Sequence, residues 1–220
     1  MLDTKVLKVD PINPEEDVIR FAATLLRDGG LVAFPTETVY GIGANFLNNK
    51  AMDRLYDIKK RPRNKPFTMH IASIDSIKEM GCRMTPFVEE LIKNFWPGPL
   101  TLIIKITDPG VFNESKQPVV FSKTGKIGFR MPKNNIAKTL ISESGVPLAV
   151  PSANISGEKP PVEAGEILDK LGDMIDLVLD GGKTEFGMES TVLEVTKPSY
   201  KVLRKGAISE EEIADIWKRM

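Results

Sequence analysis

Apolar residues recur at helical spacing in several segments of the chain, and each segment has recognisable start signals. The first follows Asn13-Pro14-Glu15-Glu16, in which a capping residue, a first-turn proline and two acidic residues are typical of a helix start. The apolar positions that follow fall on one face, and Gly29-Gly30 ends the pattern. Three further helices are predicted by the same signals: one from Thr85-Pro86 towards Phe95, one with the stripe Ala164, Ile167, Leu168 and Leu171, and one opened by the capping box Ser209 and Glu212.

Short apolar and β-branched runs between these helices predict strands. They cover residues 5–9, 31–34, 67–71, 100–106, 127–131, 148–151, 177–179, 191–195 and 201–203. Strands and helices are mixed throughout, without a long linker or an internal repeat, which favours a single α/β domain over residues 1–220. Because the last two strands are joined by a short turn, we expect a hairpin and an α+β-like mixed sheet instead of a doubly wound parallel one.

Composition and charge narrow the function classes. The chain has 220 residues, of which 41% are apolar, so it can bury one sizeable core or two small ones. Thirty basic residues balance thirty acidic ones, so the net charge gives no reason to expect a nucleic-acid binder or a protein of the membrane surface. Any anion-binding site must therefore be local.

Cysteine usage and the N-terminus indicate a cytoplasmic protein. The single cysteine, Cys82, cannot form an intrachain disulfide, and no Cys/His cluster has the spacing of metal ligands. The N-terminal residues lack an apolar signal core, and no stretch approaches the roughly 20 apolar residues that span a bilayer. We expect a protein of the reducing cytoplasm, without a membrane segment or a metal held by the protein alone.

The strongest local signal is a basic segment that leads into a predicted strand. Residues 59–65 contain five cations in seven positions, and they stand directly before Pro66-Phe67. A solvated loop is the plain alternative. However, Pro62 and Pro66 stiffen the segment, and cations held in place suit a polyphosphate, with Arg61 able to grip it bidentately. The segment therefore predicts a polyphosphate site.

Other candidate motifs are weaker on their own. Ser152 and Asn154 follow an apolar strand and present hydroxyl, amide and backbone donors together, although a simple turn has the same composition. Asp180-Gly181-Gly182-Lys183-Thr184 imitates the end of a phosphate-binding P-loop, but it lacks the earlier glycine and no helix is predicted after it. His70 is the only histidine and has no evident nucleophile partner, so Ser-His-Asp hydrolysis is not indicated. Trp96-Pro97-Gly98-Pro99 predicts a rigid turn from helix to strand.

Seven motifs, taken in order, resemble one protein family. They are residues 34–41 (Phe-Pro-Thr-Glu-Thr-Val-Tyr-Gly), Lys59-x-Arg61-Pro62 with Lys65-Pro66, residues 96–101 (Trp-Pro-Gly-Pro-Leu-Thr), residues 128–132 (Gly-Phe-Arg-Met-Pro), Ser152-x-Asn154, Ser190-Thr191-Val192 and Arg204-Lys205-Gly206. By these motifs the chain is similar to the YrdC/TsaC family of threonylcarbamoyl-AMP synthases, in its short, single-domain form. The resemblance covers about residues 5 to 210.

The resemblance implies an activity and a fold. It implies an L-threonylcarbamoyladenylate synthase, a nucleotidyltransferase that condenses L-threonine, bicarbonate and ATP and releases pyrophosphate. The product would serve tRNA threonylcarbamoyladenosine modification by partner proteins of a threonylcarbamoyl transferase complex. The implied fold is a twisted open sheet with flanking helices and a concave, positively charged face. Mg²⁺ would accompany ATP, held by substrate oxygens and only one or two protein ligands.

The resemblance also implies roles for individual residues. Lys59 and Arg61 would be catalytic. ATP would contact Arg61, Lys65, Lys126, Ser152, Asn154, Pro160 and Arg204. Threonine would contact Thr38, His70, Arg130, Val150 and Ser190, with Arg130 suited to its carboxylate.

Two other interpretations remain open from the sequence. One is an RNA-binding module whose basic face follows a tRNA or double-stranded RNA backbone, although overall neutrality and the absence of interleaved aromatics count against it. The other is a paralogue that makes a different carbamoyl-adenylate, such as the domain found in hydrogenase-maturation carbamoyltransferases.

Overall fold

The computed structural model of the protein describes residues 3–108, 125–196 and 199–220. In chain order the elements are β1 (Lys5–Lys8), α1 (Glu16–Arg27), β2 (Val32–Pro35), β3 (Tyr40–Asn45), α2 (Asn49–Ile58), β4 (Thr68–His70), α3 (Asp75–Glu79), α4 (Pro86–Phe95), β5 (Leu100–Lys105), β6 (Lys126–Arg130), α5 (Asn135–Ser144), β7 (Leu148–Ala149), α6 (Ala164–Leu171), β8 (Leu177–Asp180), β9 (Thr191–Thr196), β10 (Ser199–Arg204) and α7 (Glu210–Lys218).

The strands form one mixed sheet, as the sequence predicts. Their spatial order is β1-β8-β2-β3-β7-β4-β6-β5-β9-β10. Four neighbouring pairs are parallel, namely β1 with β8, β2 with β8, β4 with β6 and β5 with β9. The other neighbours are antiparallel, including the predicted hairpin of β9 and β10. The β4–β6 pairing matters most for function because it sets His70 directly beside Arg130.

Helices cover both faces of the sheet, and the alternation along β2 shows how. Val32 and Phe34 pack in one apolar cluster with residues of α1 and α5, whereas Ala33 packs in the other cluster with residues of α2, α4, α6 and α7. Successive side chains of a strand point to opposite faces, so a strand covered on both sides is apolar at every position. All four residues of β2 are buried accordingly.

The helix starts agree with the predicted signals at two places and disagree at one. Thr85 caps α4 by accepting the Val88 N–H at 3.3 Å, and Ser209 with Glu212 forms the capping box of α7. The predicted cap at Asn13 is wrong, because α1 begins at Glu16 after Glu15. Asp10 accepts the N–H groups of Ile12 and Asn13 and so holds them in a turn before the helix.

Several elements have no counterpart among the sequence predictions. They are β3, α2, α3 and α5. Strand β3 carries two glycines, which weaken a strand pattern. At Gly41 the glycine is required by packing, since a Cβ there would lie 2.6 Å from Cγ1 of Val150. The predicted strand at 148–151 is also too long, because β7 ends at Ala149.

The predicted turn after α4 is confirmed, and so is the prediction that no helix follows residues 180–184. Between α4 and β5, the indole N–H of Trp96 donates to the Leu100 carbonyl at 2.7 Å and ties the turn to the strand. No helix follows residues 180–184, where the chain continues through turns and bends to β9. This segment is not a P-loop.

Candidate active site

A cavity of about 450 Å³ collects most of the residues singled out in the sequence. It lies against the side chains of Thr68 and His70 on β4, which share one face of the sheet. Its walls come from the β2–β3 loop, the segment after α2, the end of β6, the segment after β7, the residues before β9 and the end of β10. It has a buried side around His70 and Arg130, and an open side around Arg61, Ser152 and Arg204.

The buried side is built on Arg130, the last residue of β6, which is only 4% exposed. Its Nη2 lies 3.0 Å from Oε2 of Glu37 and donates to Oγ1 of Thr38 at 2.8 Å. Burial lowers the pKa of Arg130, and the Glu37 carboxylate opposes that change. The Nε donor of Arg130 is buried and has no hydrogen-bond partner within the described ranges. The guanidinium thus has unused capacity for an anion.

The hydroxyl chain behind Arg130 has a definite direction. Thr36 Oγ1 donates to the Val39 carbonyl at 2.6 Å, so it has no proton left for Thr38 at 2.9 Å. Thr38 therefore donates to Thr36 while it accepts from Arg130. Thr38 does not line the cavity, and its hydroxyl is committed to Arg130 and Thr36. It can therefore act on a ligand only through Arg130.

His70 completes the buried side. It is 4% exposed, and burial first and the Arg130 cation second lower its pKa well below 6.5. The imidazole is therefore neutral at physiological pH. Its Nδ1 has no hydrogen-bond partner in the part of the chain that the structure describes. In a neutral imidazole, Nδ1 can serve a bound ligand as a donor in one tautomer or as an acceptor in the other.

Lys59 joins the basic segment to the segment after β7. Its Nζ donates to the carbonyl of Ser152 at 2.6 Å, to Oδ1 of Asn154 at 2.8 Å and to the carbonyl of Asn154. Ser152 Oγ also donates to Asn154 Oδ1, at 2.6 Å. Burial first, and then the Arg61 cation, lower the pKa of Lys59 to about 8. Since all three ammonium protons are used within the protein, Lys59 holds the Ser152-x-Asn154 segment in shape.

Arg61 lines the open side of the cavity, and part of its guanidinium remains available to a ligand. Its Nε and Nη2 donate to the carbonyls of Lys65 and Pro66 at 3.0 and 2.9 Å, and its guanidinium stacks 5.2 Å from the Phe67 ring centre. Arg63 turns away from the cavity and pairs with Asp53 and Asp57. The segment is therefore neither a uniformly solvated loop nor a uniform phosphate cradle.

Arg204 and Ser190 form the opposite wall. Arg204 donates to the carbonyl of Ser190 and to its Oγ, both at 3.0 Å, and pairs with Glu189 at 2.5 Å. Ser190 Oγ also lies 2.8 Å from Oγ1 of Thr101. The close approach requires glycine at 206, where a Cβ would lie 2.4 Å from the carbonyl oxygen of Glu189.

The structure brings nine of the site residues named from the sequence to the cavity. They are Lys59, Arg61, His70, Arg130, Val150, Ser152, Asn154, Ser190 and Arg204. Thr38 stands behind Arg130, as described. Lys65, Lys126 and Pro160 do not line the cavity: Lys65 is exposed, Lys126 pairs with Glu194, and Pro160 lines a separate small pocket.

Sequence reasoning missed three carboxylates in or beside the cavity. Glu158 and Glu189 line it, and Glu37 pairs with Arg130. Glu37 had a usable signal, because it is the one charged residue in the mostly apolar run from Leu31 to Ile42. A charge in such a run is expected to be paired.

Two further observations concern metals and membranes. Within the described residues, no group of three or more His, Cys, Asp and Glu side chains could hold a metal ion. The described helices include none with the length and apolar character needed to cross a bilayer.

Comparison with known proteins identifies the family of this chain. Residues 24–206 match the Sua5/YciO/YrdC family, described as telomere recombination. Threonylcarbamoyl-AMP synthases of Pyrococcus abyssi and Bacillus subtilis are 41% and 39% identical over 202 and 204 residues, or 92% and 93% of this chain. The crystal structure of P. abyssi Sua5 complexed with L-threonine has a TM-score of 0.88 at 39% identity, and the match covers 97% of this chain.

The match covers only part of the length of these relatives. The chain spans 58% of the length of both synthases and 61% of the P. abyssi chain in the threonine complex. The match nevertheless includes every element that lines the cavity from β2 to β10. The chain belongs to the Sua5/YciO/YrdC family.

Proposed function

We propose that this chain is an L-threonylcarbamoyladenylate synthase, which condenses L-threonine, bicarbonate and ATP into threonylcarbamoyl-AMP and pyrophosphate. The observation that carries the proposal is the division of one cavity between a buried guanidinium with an unpartnered donor and an open basic side. The first suits a single carboxylate, and the second suits a triphosphate. Relatives named threonylcarbamoyl-AMP synthase, and the P. abyssi Sua5 complex with L-threonine, support the same assignment.

The chemistry needs positioning more than an enzymic nucleophile. The threonine amine and carbon dioxide, derived from bicarbonate, form a carbamate, whose oxygen attacks the α-phosphorus of ATP as pyrophosphate leaves. Three anionic groups must approach one another, so the main demands are charge neutralisation and alignment. Arg130 would hold the threonine carboxylate, with His70 and Ser190 beside it. Arg61 and Arg204 would neutralise the phosphates, on a wall that Lys59 shapes through Ser152 and Asn154.

Mg²⁺ fits this cavity as a companion of ATP. Glu158 and Glu189 line it, and Mg²⁺ is commonly bound by one or two carboxylates together with substrate phosphates. The ion would supply charge neutralisation on the phosphates. Glu189 already pairs with Arg204, so a bound nucleotide that draws Arg204 towards its phosphates would leave this carboxylate free for the ion.

The remaining assignments follow from the activity. The product would be consumed by threonylcarbamoyl transferase proteins for tRNA modification in the cytoplasm. Direct contact with tRNA or double-stranded RNA is the further expectation of the sequence, and a salt-dependent binding measurement would test it.

The deciding experiment measures pyrophosphate release from ATP, Mg²⁺ and bicarbonate, with and without L-threonine. We expect threonine-dependent release by the wild type. Arg61→Ala should lower kcat by roughly 10²–10³-fold, equivalent to about 2–4 kcal/mol of transition-state stabilisation. Release that is independent of threonine in the wild type, or near-native turnover by Arg61→Ala, would contradict the proposal.

A further inference from the structure

Among the residues that the structure describes, Glu37 is the carboxylate that contacts Arg130 on the buried side, and it does not line the cavity. Its residue is 2% exposed, and it lies behind Arg130 in the four-residue loop between β2 and β3. The Glu37 carbonyl accepts the Phe186 N–H at 2.9 Å, which fixes the backbone of the loop. A buried carboxylate costs free energy unless a partner compensates it. Neither Glu37 oxygen accepts a hydrogen bond within the described residues, so the compensation comes from the charge of Arg130, whose Nη2 lies 3.0 Å from Oε2.

Within the described ranges, the guanidinium of Arg130 is held through one of its three nitrogens. Both of its short contacts, to Glu37 Oε2 and to Thr38 Oγ1, involve the same nitrogen, Nη2. Because the Thr38 proton goes to Thr36, the Thr38 oxygen must accept from the guanidinium and cannot rotate away to donate elsewhere. The guanidinium is rigid and planar, so fixing Nη2 in this way also fixes the direction of the unpartnered Nε.

The same contact limits the positive charge of the buried side. His70 beside Arg130 is neutral, and Arg204 contributes a further repulsive positive charge. The negative charge of Glu189, on the open side, offsets part of the repulsion between Arg204 and Arg130. Without Glu37, the Arg130 cation would be only weakly compensated, next to an open side that already carries Arg61 and Arg204. Such a cation would attract the most highly charged anion present, which is the triphosphate.

We infer that Glu37 is a positioning and specificity residue, which aims the Arg130 guanidinium and reduces its net charge so that it selects a single carboxylate over a phosphate group. The inference rests on the proposed function, since it concerns how the threonine subsite is kept distinct from the ATP subsite. Glu37 acts only through Arg130. It touches no substrate.

The test compares Glu37→Gln with the wild type in the pyrophosphate-release assay, with KM measured separately for L-threonine and ATP. Glutamine keeps the size of the side chain and removes the charge. We expect the KM for L-threonine to rise at least tenfold, with the KM for ATP unchanged or lower and kcat within about threefold. An unchanged KM for L-threonine, or equal increases for both substrates, would overturn the inference.

A second comparison distinguishes an effect of Glu37 through Arg130 from a general loss of folded structure. In an Arg130→Gln background, the further change Glu37→Gln should leave the KM for L-threonine unaltered, because Glu37 has lost the group through which it acts. This comparison does not use the Glu37→Gln single variant, so it stays informative if that variant folds poorly. Because Arg130→Gln leaves Glu37 buried without its cation, both proteins of this arm are assayed below their measured Tm. An additional tenfold loss in that background would refute the inference. Glu16→Gln, at an exposed position on α1, is the matched control and should change neither KM.

A binding measurement keeps this inference separable from the proposed function. If the wild type releases no pyrophosphate in response to L-threonine, the proposed function fails, and calorimetry with L-threonine alone decides the role of Glu37. Binding by the wild type that is weakened tenfold in Glu37→Gln supports it. Equal binding by both proteins, or no binding by either, overturns it.

Discussion

The two sides of the cavity use arginine in opposite ways. On the buried side, Arg130 is 4% exposed and meets a carboxylate and a hydroxyl at fixed distances. On the open side, Arg61 and Arg204 are half-buried. Arg61 bonds to two backbone carbonyls, whereas Arg204 bonds to one backbone carbonyl, to the Ser190 hydroxyl and to the Glu189 carboxylate. On the buried side one carboxylate faces one guanidinium, whereas among the described residues the open side brings the cations Lys59, Arg61 and Arg204 together with the carboxylates Glu158 and Glu189.

This difference matches two kinds of anion. A single carboxylate is recognised best by a dry, rigid donor, because a rigid donor loses little entropy on binding. A triphosphate carries several charges and needs several cations that can adjust to it. The contrast predicts that substitutions on the buried side lower the folding stability and raise the KM for L-threonine together. Substitutions on the open side should mainly raise the KM for ATP.

The largest effect on folding stability is expected from removing Arg130 on the buried side. Arg130→Ala leaves Glu37 buried without its cation, which costs about 3–5 kcal/mol of folding stability. For a chain of this length that corresponds to a fall in Tm of roughly 10 °C. Thermal unfolding followed by circular dichroism measures it. A Tm within two degrees of the wild type would show that the ion pair contributes nothing to the fold.

A smaller effect is expected from Lys59, which supports the open side from beneath. Lys59→Met removes three hydrogen bonds to the Ser152-x-Asn154 segment, with an expected loss of about 1–3 kcal/mol of stability. The KM for ATP should rise more than the KM for L-threonine, because the loosened segment belongs to the open side. Steady-state kinetics with each substrate varied in turn measures the ratio. A larger change for threonine would break the proposed division of the cavity.

Lys59 should also make both the stability and the proposed activity depend on pH. Its pKa is lowered from 10.5 to about 8, so the unfolded chain binds more protons between those values, and the contribution of Lys59 to stability rises as pH increases across that window. Activity should move the other way, because a neutral amine cannot donate three hydrogen bonds. We expect kcat/KM for ATP to fall above pH about 8 in the wild type but to stay level in Lys59→Met. A fall of equal size in both proteins would assign the titration to another group.

The sequence predicted the fold better than it predicted the site. Local signals were sufficient for the caps at Thr85 and Ser209 and for the β9–β10 hairpin, because each depends on residues close together in the chain. Strand β3 was missed because Gly41 serves a contact with Val150, more than one hundred residues away. Propensity contains no information about such contacts.

The site shows the same limit more sharply. The cations of the basic segment were evident from composition, but only the structure shows that Lys59 turns inward, Arg61 faces the cavity and Arg63 turns outward to pair with Asp53 and Asp57. The ion pair of Glu37 and Arg130 depends on the order of the strands between β2 and β6. No local pattern specifies that order.

The smallest effect is expected from Lys65, which tests whether charge alone explains the basic segment. Lys65 is exposed and lies outside the cavity lining, so it can act on ATP only as a distant charge, worth roughly 0.2–1 kcal/mol and screened by salt. We expect Lys65→Ala to raise the KM for ATP by about two- to fivefold at low ionic strength and to be indistinguishable from the wild type at about 0.5 M salt. Arg61→Ala should remain impaired in both conditions because Arg61 lines the cavity. A salt-resistant defect in Lys65→Ala would instead mean that its ammonium reaches the bound phosphates directly, which would extend the open side beyond the cavity as it stands without ligand.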